Sequence, residues 1–269
     1  MAVARAPMRI LITGAGRAIG AATAIELARA GHEVVATARD VSLLDGLDVA
    51  EHLQLDVTDP VSIHRALEAA GNLDAIVNNA AICGKGPLED FPLDQLRSIF
   101  ETNTVGPLAL LQQLLPKWRA RGSGVIVNVS SVEGKVASPL KGPYSASKFA
   151  LEALSESLHY EVGHFGIRVV IVQPGFTGPG MKGIDAFVGN HDYSQLWEEW
   201  EGVDDRVSGP NGRPGPEMVA LAIRRAIEDP HTPLRVPVGP DAAFILEARA
   251  QLDDTTFESA MRNTLSMTW

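Results

Sequence analysis

Residues 8–20 read Met8-Arg-Ile-Leu-Ile-Thr-Gly-Ala-Gly-Arg-Ala-Ile-Gly20, an apolar run followed by closely spaced glycines. The run up to Thr13 predicts a strand, and a helical pattern over about 17–30 follows the glycines. Glycines at such a turn let the backbone approach a pyrophosphate, and the helix amino end offers unpaired N–H groups and a favourable dipole to the anion. Because these glycines lie between a first strand and a first helix, we expect a dinucleotide-binding turn.

The same alternation of strand and helix continues along the chain. Apolar runs that predict strands lie at about 9–12, 33–37, 52–56, 73–78, 124–130, 167–172 and 234–238. Helical patterns lie at about 17–30, 60–70, 93–120, 143–164, 216–228 and 241–263, with one short helix after the second strand. Strands that alternate with helices predict βαβ units. We therefore expect an α/β fold of the Rossmann type, a doubly wound parallel sheet with helices on both faces, formed by residues 1–269 as a single domain.

Composition and charge exclude several classes of function. The net charge is −10 and the pI is about 5.2, whereas nucleic-acid binding needs a basic stripe, so we expect no nucleic-acid partner. No apolar run approaches the ~18 residues of a membrane span. The seven histidines show no close ligand spacing, so we expect no metal site. The single cysteine, Cys83, predicts a reducing compartment, the cytoplasm by default, and is more typical of a small buried side chain than of a nucleophile.

The stretch Tyr144-Ser-Ala-Ser-Lys148 is a candidate for chemistry. If Pro143 opens a helix, Tyr144 and Lys148 project from one face of it. A lysine charge favours the phenolate and lowers the pKa of the tyrosine, so Tyr144 can exchange a proton with a carbonyl or alkoxide oxygen. Ser131 ends a buried-strand pattern at the sheet edge where ligands bind, and its hydroxyl can hold the same oxygen. Such a pair alone is more often a solvated surface pair, so this interpretation depends on the accompanying motifs.

The end of the second strand distinguishes between the nicotinamide cofactors. NAD sites place an acid there to bind the ribose 2′-hydroxyl, whereas the 2′-phosphate of NADP needs cations. Here the strand ends in Arg39, and Arg17 lies in the glycine turn. Two arginines at one edge predict NADP(H), provided that Arg39 rather than Asp40 faces the cofactor.

Asn103 lies on an apolar stripe of the predicted helix 93–120, where a buried polar side chain must be hydrogen-bonded. Pro107 has no N–H to bond the carbonyl of Asn103, and its ring is expected to kink the helix. We expect that carbonyl to be left as a free acceptor. The alternative is a packed asparagine that only tolerates the proline.

The order and spacing of these residues resemble the short-chain dehydrogenase/reductase family over about residues 8–177. The motifs that carry the resemblance are Thr13-Gly14 with Gly20, Asp56, Asn78-Asn-Ala80, Asn103, Ser131, Tyr144-x-x-x-Lys148 and Pro174-Gly175. The ending Thr37-Ala-Arg39 and the stretch Tyr144–Glu152 resemble the NADP-preferring retinol and hydroxysteroid dehydrogenases in particular.

The resemblance implies catalytic roles for four residues. Tyr144 would be the general acid/base, and Lys148 would lower its pKa and hold the nicotinamide ribose. Ser131, for which Ser130 is the alternative, would orient the substrate carbonyl. Asn103 would hold a water in a proton relay to the lysine.

The resemblance also implies a cofactor site and an assembly. Asp56 would lie beside the adenine, Asn78 would steady the sheet, and a homodimer or homotetramer would form through helices at about 95–120 and 143–164. The cofactor-binding residues would be Gly14, Gly16, Arg17, Ile19, Gly20, Arg39, Asp56, Val57, Asn79, Ala80, Tyr144, Lys148, Pro174, Gly175 and Thr177.

Three positions depart from the family pattern. Glycine is usual where Ala18 and Ala81 stand, and each alanine adds a methyl group beside the expected cofactor site. A threonine commonly comes four residues after the Pro-Gly pair, whereas Thr177 comes two after Gly175.

Residues 176–216 are rich in glycine, proline and acids, which predicts a mobile substrate lid. We place this lid at 178–216, between the core at 8–177 and the last strand and C-terminal helices at 217–269. Large apolar side chains here favour a bulky apolar substrate, and the acids argue against an anionic one. The alternative is that the apolar side chains pack a satellite core or a subunit interface. The side chains concerned are Phe176, Met181, Phe187, Tyr193, Leu196, Trp197 and Trp200, and the acids are Asp192, Glu198, Glu199 and Glu201.

These observations together predict an NADP(H)-dependent oxidoreductase that transfers a hydride between nicotinamide and a bulky apolar ketone, aldehyde or secondary alcohol. One alternative is a non-redox member of the family, an epimerase or dehydratase. Another is a regulator that senses NADP(H) without turnover, against which the intact Ser131, Tyr144 and Lys148 argue.

Overall fold

Strands and helices alternate as predicted in the computed structural model, which describes residues 6–178, 181, 191–203, 206 and 213–269. The strands are β1 (Arg9–Ile12), β2 (Glu33–Ala38), β3 (Glu51–Gln54), β4 (Ala75–Asn78), β5 (Gly124–Val129), β6 (Ile167–Pro174) and β7 (Arg235–Val238). The helices are α1 (Ala18–Arg29), α2 (Pro60–Ala70), α3 (Leu93–Phe100), α4 (Gly106–Arg121), α5 (Gly142–Gly163), α6 (Ser194–Trp200), α7 (Glu217–Glu228), α8 (Pro240–Gln251) and α9 (Asp254–Leu265). Short 3-10 turns lie at Val41–Leu44, Val132–Gly134 and His191–Tyr193.

Seven parallel strands form one sheet in the order β3-β2-β1-β4-β5-β6-β7. The order reverses between β1 and β4, where Leu11 pairs with Ile76. In doubly wound sheets the crevice outside the carboxyl ends of the strands at this switch point binds ligands. The predicted fold class, a Rossmann-type single domain, is confirmed.

Helices cover both faces of the sheet. Ile10 and Ile12 face α1 and α7, whereas Leu11 faces α2, α4 and α5, and all three side chains are fully buried. Burial on both faces explains why the strands read as continuous apolar runs rather than as alternating ones.

Two predicted helices are each divided. The pattern at 93–120 contains a π-helical turn at Glu101–Val105, where the N–H of Gly106 bonds the carbonyl of Glu101 five residues earlier. The missing N–H of Pro107 accounts for an irregularity at this place, which the sequence predicted as a kink. The pattern at 241–263 is divided by Asp253, whose carboxylate caps α9 by accepting from the N–H of Thr256.

A satellite core forms a third cluster, separate from the two that cover the faces of the sheet. It contains Leu196 and Trp200 of α6, which pack against Leu140, Val203 and Leu265. Tyr193 and Trp197 pack against this core as partly buried side chains, so the alternative interpretation of the apolar side chains in 178–216 holds for all four residues. Phe187 lies outside the described residues. In the part of the chain that the structure describes, no helix has the length and apolar character needed to cross a membrane.

Candidate active site

In the glycine turn after β1, main-chain atoms of different residues lie close together. Gly14 has a φ of +66°, which favours glycine, and a Cβ at Gly20 would lie 2.2 Å from the carbonyl oxygen of Gly14. The turn leads directly into the amino end of α1. A cradle that a Cβ would fill, at the amino end of a helix, fits the pyrophosphate of a dinucleotide.

A second turn, after β4, is tied to the first. The hydroxyl of Thr13 accepts hydrogen bonds from the N–H groups of Asn79 at 3.0 Å and of Ala80 at 2.9 Å. The amide of Asn79 donates to the carbonyls of Thr13 at 3.0 Å and Gly14 at 3.1 Å. These four bonds hold the two turns together at the switch point.

Ala18 carries strain in this turn. Its φ is +44°, a left-handed conformation that costs an L-residue with a Cβ about 1–2 kcal/mol. This backbone explains why glycine is usual at the position. The departure noted in the sequence is therefore one of conformation and not only of an added methyl group.

Arg17 and Arg39 are exposed and line the same cavity. Asp40 also lines it, but its carboxylate accepts from the N–H of Ser42 at 3.0 Å and from the hydroxyl of Ser42 at 2.7 Å. These bonds lower the pKa of Asp40 below its ordinary value. Since the carboxylate of Asp40 is bonded to its own chain, Arg39 is the better placed of the two side chains to meet a ligand at this edge.

Three side chains converge at the start of α5. The helix begins at Gly142 with Pro143 in its first turn, as predicted, and it places Tyr144 and Lys148 in the interior, 8% and 3% exposed. Nζ of Lys148 lies 5.7 Å from the centre of the Tyr144 ring and donates to the carbonyl of Val129 at 2.8 Å. The hydroxyl of Ser131 is hydrogen-bonded to Tyr144. The three side chains line one cavity.

Ser131 rather than Ser130 bonds the tyrosine. The hydroxyl of Ser131 accepts from the N–H of Glu133 at 3.1 Å, which fixes its position. The hydroxyl of Ser130 is buried and has no hydrogen-bond partner among the described residues. A Cβ at Gly134 would lie 2.6 Å from it, so this loop packs closely over Ser130.

The electrostatics of Tyr144 differ from expectation. Burial raises the pKa of Tyr144 above its ordinary value, the nearby Glu133 and Cys83 raise it further, and only the bond to Ser131 lowers it. Burial likewise lowers the pKa of Lys148 to about 8. The prediction that Lys148 lowers the pKa of Tyr144 is therefore wrong for the chain by itself, because burial raises this pKa and Lys148 is not among the groups that shift it. Tyr144 holds its proton at neutral pH.

One cavity of about 720 Å³ connects these features. Every predicted cofactor-binding residue lines it, together with Ser131. These cofactor-binding residues are Gly14, Gly16, Arg17, Ile19, Gly20, Arg39, Asp56, Val57, Asn79, Ala80, Tyr144, Lys148, Pro174, Gly175 and Thr177.

The side chain of Asn103 is directed elsewhere. It is 1% exposed, and its amide bonds the backbone N–H and C=O of Ile82 at 2.8 and 2.9 Å and the hydroxyl of Ser147 at 2.9 Å. Its neighbour Thr102 lines the cavity, whereas Asn103 does not. Asn103 thus ties the loop after β4 to α5, and a catalytic role through its carbonyl stays a prediction.

Sequence reasoning missed a buried ion pair in the cavity wall. Oε1 of Glu133 accepts from Nζ of Lys141 at 3.1 Å, and the carboxylate also accepts from the hydroxyls of Ser138 and Ser145. Nζ of Lys141 lies 5.4 Å from the centre of the Phe176 ring. The loop that holds the pair has no regular periodicity, so the sequence offered no signal that these side chains meet.

We call the part of the cavity around Phe176 and Met181 the substrate end, and we assign to it the charged residues Glu133, Lys141 and Arg213 of the cavity wall. Of the described residues in 178–216, Gly178, Met181 and Arg213 line the cavity. The four acids singled out in 178–216 do not line the cavity, so the expectation that they disfavour an anionic substrate stays a prediction. Within the described ranges, no group of three or more histidine, cysteine, aspartate or glutamate side chains is arranged to hold a metal ion.

Comparisons with known proteins agree with this geometry. A family model described as short chain dehydrogenase matches residues 8–185. The 3-ketodihydrosphingosine reductase of Bacteroides thetaiotaomicron is 32% identical over 269 residues, which cover 95% of this chain and 97% of the relative. Retinol dehydrogenase 8 of Bos taurus is 37% identical over 187 residues, which cover 64% of this chain and 60% of the relative.

A solved structure extends the similarity to almost the whole chain. The crystal structure of a short-chain dehydrogenase from Streptomyces avermitilis superposes with a TM-score of 0.81 at 37% identity. The match covers 96% of this chain and 99% of the other. The region after residue 185 thus has a structural counterpart as well.

Proposed function

Because the chain belongs to the short-chain dehydrogenase family, we propose that it is an NADPH-dependent reductase of bulky apolar ketones or aldehydes, or the reverse dehydrogenase of their alcohols. The observation that carries the proposal is the meeting of Ser131, Tyr144 and Lys148 in the cavity that the glycine turn opens. A bound nicotinamide supplies the hydride.

The residues of the chain supply the proton and the orientation. Tyr144, whose raised pKa keeps the phenol protonated, donates to the oxygen of the carbonyl as it becomes an alkoxide. Ser131, already bonded to Tyr144, holds that same oxygen. Lys148 brings a cation into the interior beside the phenol. A protonated phenol suits the direction of reduction, whereas oxidation needs the phenolate.

The preference for NADPH is supported by charge at the far end of the cavity. Arg17 and Arg39 both line it, and the carboxylate of Asp40, the neighbour of Arg39 in the chain, is bonded to Ser42. Cations without a competing carboxylate suit a 2′-phosphate.

The substrate class is supported by two independent observations. Phe176 and Met181 place an aromatic ring and a thioether at the substrate end. The names of two relatives, a 3-ketodihydrosphingosine reductase and a retinol dehydrogenase, describe action on a carbonyl compound and an alcohol.

The test follows NADPH oxidation by absorbance against a panel of long-chain, steroid, quinone and aromatic carbonyls. Tyr144→Phe should lower the rate by at least about 100-fold, in keeping with the loss of a general acid. Tyr160→Phe is the matched control, because Tyr160 is on the same helix and 75% exposed, and it should leave the rate unchanged. Turnover that survives in Tyr144→Phe would reject the mechanism.

Other outcomes distinguish the alternatives. Substrate conversion without net NADPH consumption would support an epimerase or dehydratase, and NADPH binding without any conversion would support a sensor. Neither alternative has an observation in its favour in the described structure. The expected homodimer or homotetramer stays a prediction, which sedimentation analysis tests.

A further inference from the structure

The carboxyl ends of β6 and β7 lie side by side, beside the part of the cavity that contains Tyr144 and Lys148, here called its catalytic end. Pro174 pairs with Val238, and the N–H of Gly175 donates to the carbonyl of Val238 at 3.0 Å. Because both strands end at the same edge, the residues that follow each of them meet. Those residues are Gly175 and Phe176 after β6, and Asp241, in the first turn of α8, after β7.

The side chain of Asp241 is packed against this backbone. It is 6% exposed, and its Oδ2 accepts from the N–H of Phe176 at 2.6 Å. A Cβ at Gly175 would lie 2.1 Å from Oδ2, and a Cβ at Gly239 would lie 2.6 Å from Oδ1. The carboxylate thus fills the space that two glycines leave open.

The second carboxylate oxygen has no compensating bond. Oδ1 of Asp241 is buried without a hydrogen-bond partner among the residues that the structure describes. A buried polar atom without a partner costs free energy, so stabilisation of the fold alone does not explain an aspartate at position 241. Its one strong bond is to the backbone of the cavity wall, which points to a role there.

That wall belongs to the cavity that contains the reacting groups. Gly175, Phe176 and Thr177 line the same cavity as Tyr144 and Lys148. We propose that Asp241 is a positioning residue that fixes the backbone of Gly175 and Phe176 at the catalytic end of the cavity and so sets the affinity for the nicotinamide cofactor. This inference rests on the proposed function. Asp241, to which it assigns a role, lies 65 positions after Phe176 in the chain.

The test compares two substitutions of Asp241. Asp241→Ala removes the acceptor and should weaken NADPH binding, measured by fluorescence titration, by about tenfold, the loss of one hydrogen bond to a charged group. Asp241→Asn keeps an amide oxygen that can accept from Phe176 and should restore binding to within about twofold. The KM for NADPH should rise in Asp241→Ala with a smaller change in kcat, whereas a purely structural role would lower the melting temperature and leave both constants alike.

A double-mutant cycle tests the geometry itself. The φ of Gly175 lies outside the left-handed range, so Gly175→Ala is opposed by the carboxylate of Asp241 and not by its own backbone. Gly175→Ala should weaken NADPH binding in the native background by roughly 10- to 100-fold and by much less when Asp241 is already alanine. An equal effect in both backgrounds would overturn the inference, as would unchanged binding in Asp241→Ala.

If Asp241→Ala does not fold, the Gly175→Ala variant alone tests the inference. Unchanged NADPH binding in Gly175→Ala then overturns it, and weakened NADPH binding at an unchanged melting temperature supports it.

Binding and turnover separate this inference from the proposed function. The titration needs no substrate, so weakened NADPH binding in Asp241→Ala supports the role of Asp241 even if no carbonyl is reduced. Conversely, reduction that depends on Tyr144 but is indifferent to Asp241 would leave the proposed function standing and remove only the inference.

Discussion

The two ends of the cavity are built in different ways. At the cofactor end, backbone meets backbone: a Cβ at Gly20 would lie 2.2 Å from a carbonyl oxygen, and Thr13 and Asn79 bond main-chain groups of the two turns. At the substrate end, side chains from distant segments meet, as Lys141 meets Phe176. Main-chain contacts leave no rotamer to adjust, whereas side chains can repack. We therefore expect substitutions to be severe at the first end and graded at the second.

The sharpest test of this difference is Gly20→Ala. The added methyl group would meet the carbonyl of Gly14 and the side-chain amide of Asn79, which is itself bonded to two backbone carbonyls. We therefore expect NADPH binding to weaken by roughly 100-fold or more, in keeping with an overpacking cost of about 3 kcal/mol. Gly163→Ala is the matched control, because a Cβ at Gly163 meets nothing within 4 Å at the end of α5. Near-native NADPH binding by Gly20→Ala would show that the turn can relax and would remove the contrast between the two ends.

Arg39→Asp tests the one part of the cofactor end that depends on side chains. The substitution should lower the ratio of NADPH to NADH affinity by roughly 10- to 100-fold, the value of a charge-assisted hydrogen bond. Arg65→Asp makes the same charge change on the exposed surface of α2 and should leave the ratio unaltered. Equal ratios for Arg39→Asp and the native protein would reject the role of Arg39 and leave Arg17 as the remaining cation.

The difference between the two ends of the cavity also explains which features could be predicted from the sequence. The sheet was predictable because strands buried on both faces, such as Ile10, Leu11 and Ile12, leave a continuous apolar run. The glycine turn was predictable because its closely spaced glycines follow directly after the first strand, although the bonds that tie the turn to Asn79 and Ala80 come from a distant segment. The fold and the glycine turn therefore leave a local pattern in the sequence.

The substrate end could not be predicted in the same way. The bond between Asp241 and Phe176 spans 65 residues and follows no repeating pattern, and Glu133 meets Lys141 within an irregular loop. The pKa of Tyr144 was predicted in the wrong direction because it depends on burial, which only the assembled structure reveals. Contacts of this kind are decided by packing and not by local pattern.

Lys148 is a charged side chain whose burial costs folding free energy, so its effect on stability can be measured. Its pKa falls from 10.5 to about 8 on burial, so the folded state opposes the charged form. Without nucleotide, Lys148→Met should raise the free energy of unfolding by about 1–2 kcal/mol at pH 7, less than the pKa change alone implies because the bond to Val129 is lost. Activity should be abolished in the same variant.

The pH dependence of the free energy of unfolding tests the sign of this effect of Lys148. A lysine with a lowered pKa destabilises the fold in full below about pH 8, and this penalty disappears as the pH rises towards 10.5, where the unfolded chain also loses the proton. The advantage of Lys148→Met in chemical denaturation should therefore shrink between pH 8 and 10.5. Lys117→Met, at an exposed position of α4, is the control, and an advantage of Lys148→Met that is constant with pH would contradict the argument.

The smallest effect is expected where α6 meets the end of the chain, at Glu199. Its carboxylate accepts from the N–H and the hydroxyl of Thr268 at 2.9 and 2.6 Å and from the N–H of Trp269 at 3.1 Å. Bonds from Thr268 first, and from Gln195 and Trp269 after it, lower the pKa of Glu199 to about 2. Because these bonds lie at the surface, solvent screens them, and Glu199→Gln should lower the melting temperature by no more than about 2–3 °C at pH 7.

The stabilisation by Glu199 should be fully present above the ordinary pKa of 4.5 and should be lost as the pH falls towards 2. Glu198→Gln, at the exposed neighbouring position, is the matched control and should show no such loss. NADPH binding should be the same in all three proteins, because Glu199 does not line the cavity. If Glu199→Gln weakens NADPH binding, then surface contacts of α6 influence the cofactor end, and the contrast between the two ends of the cavity fails.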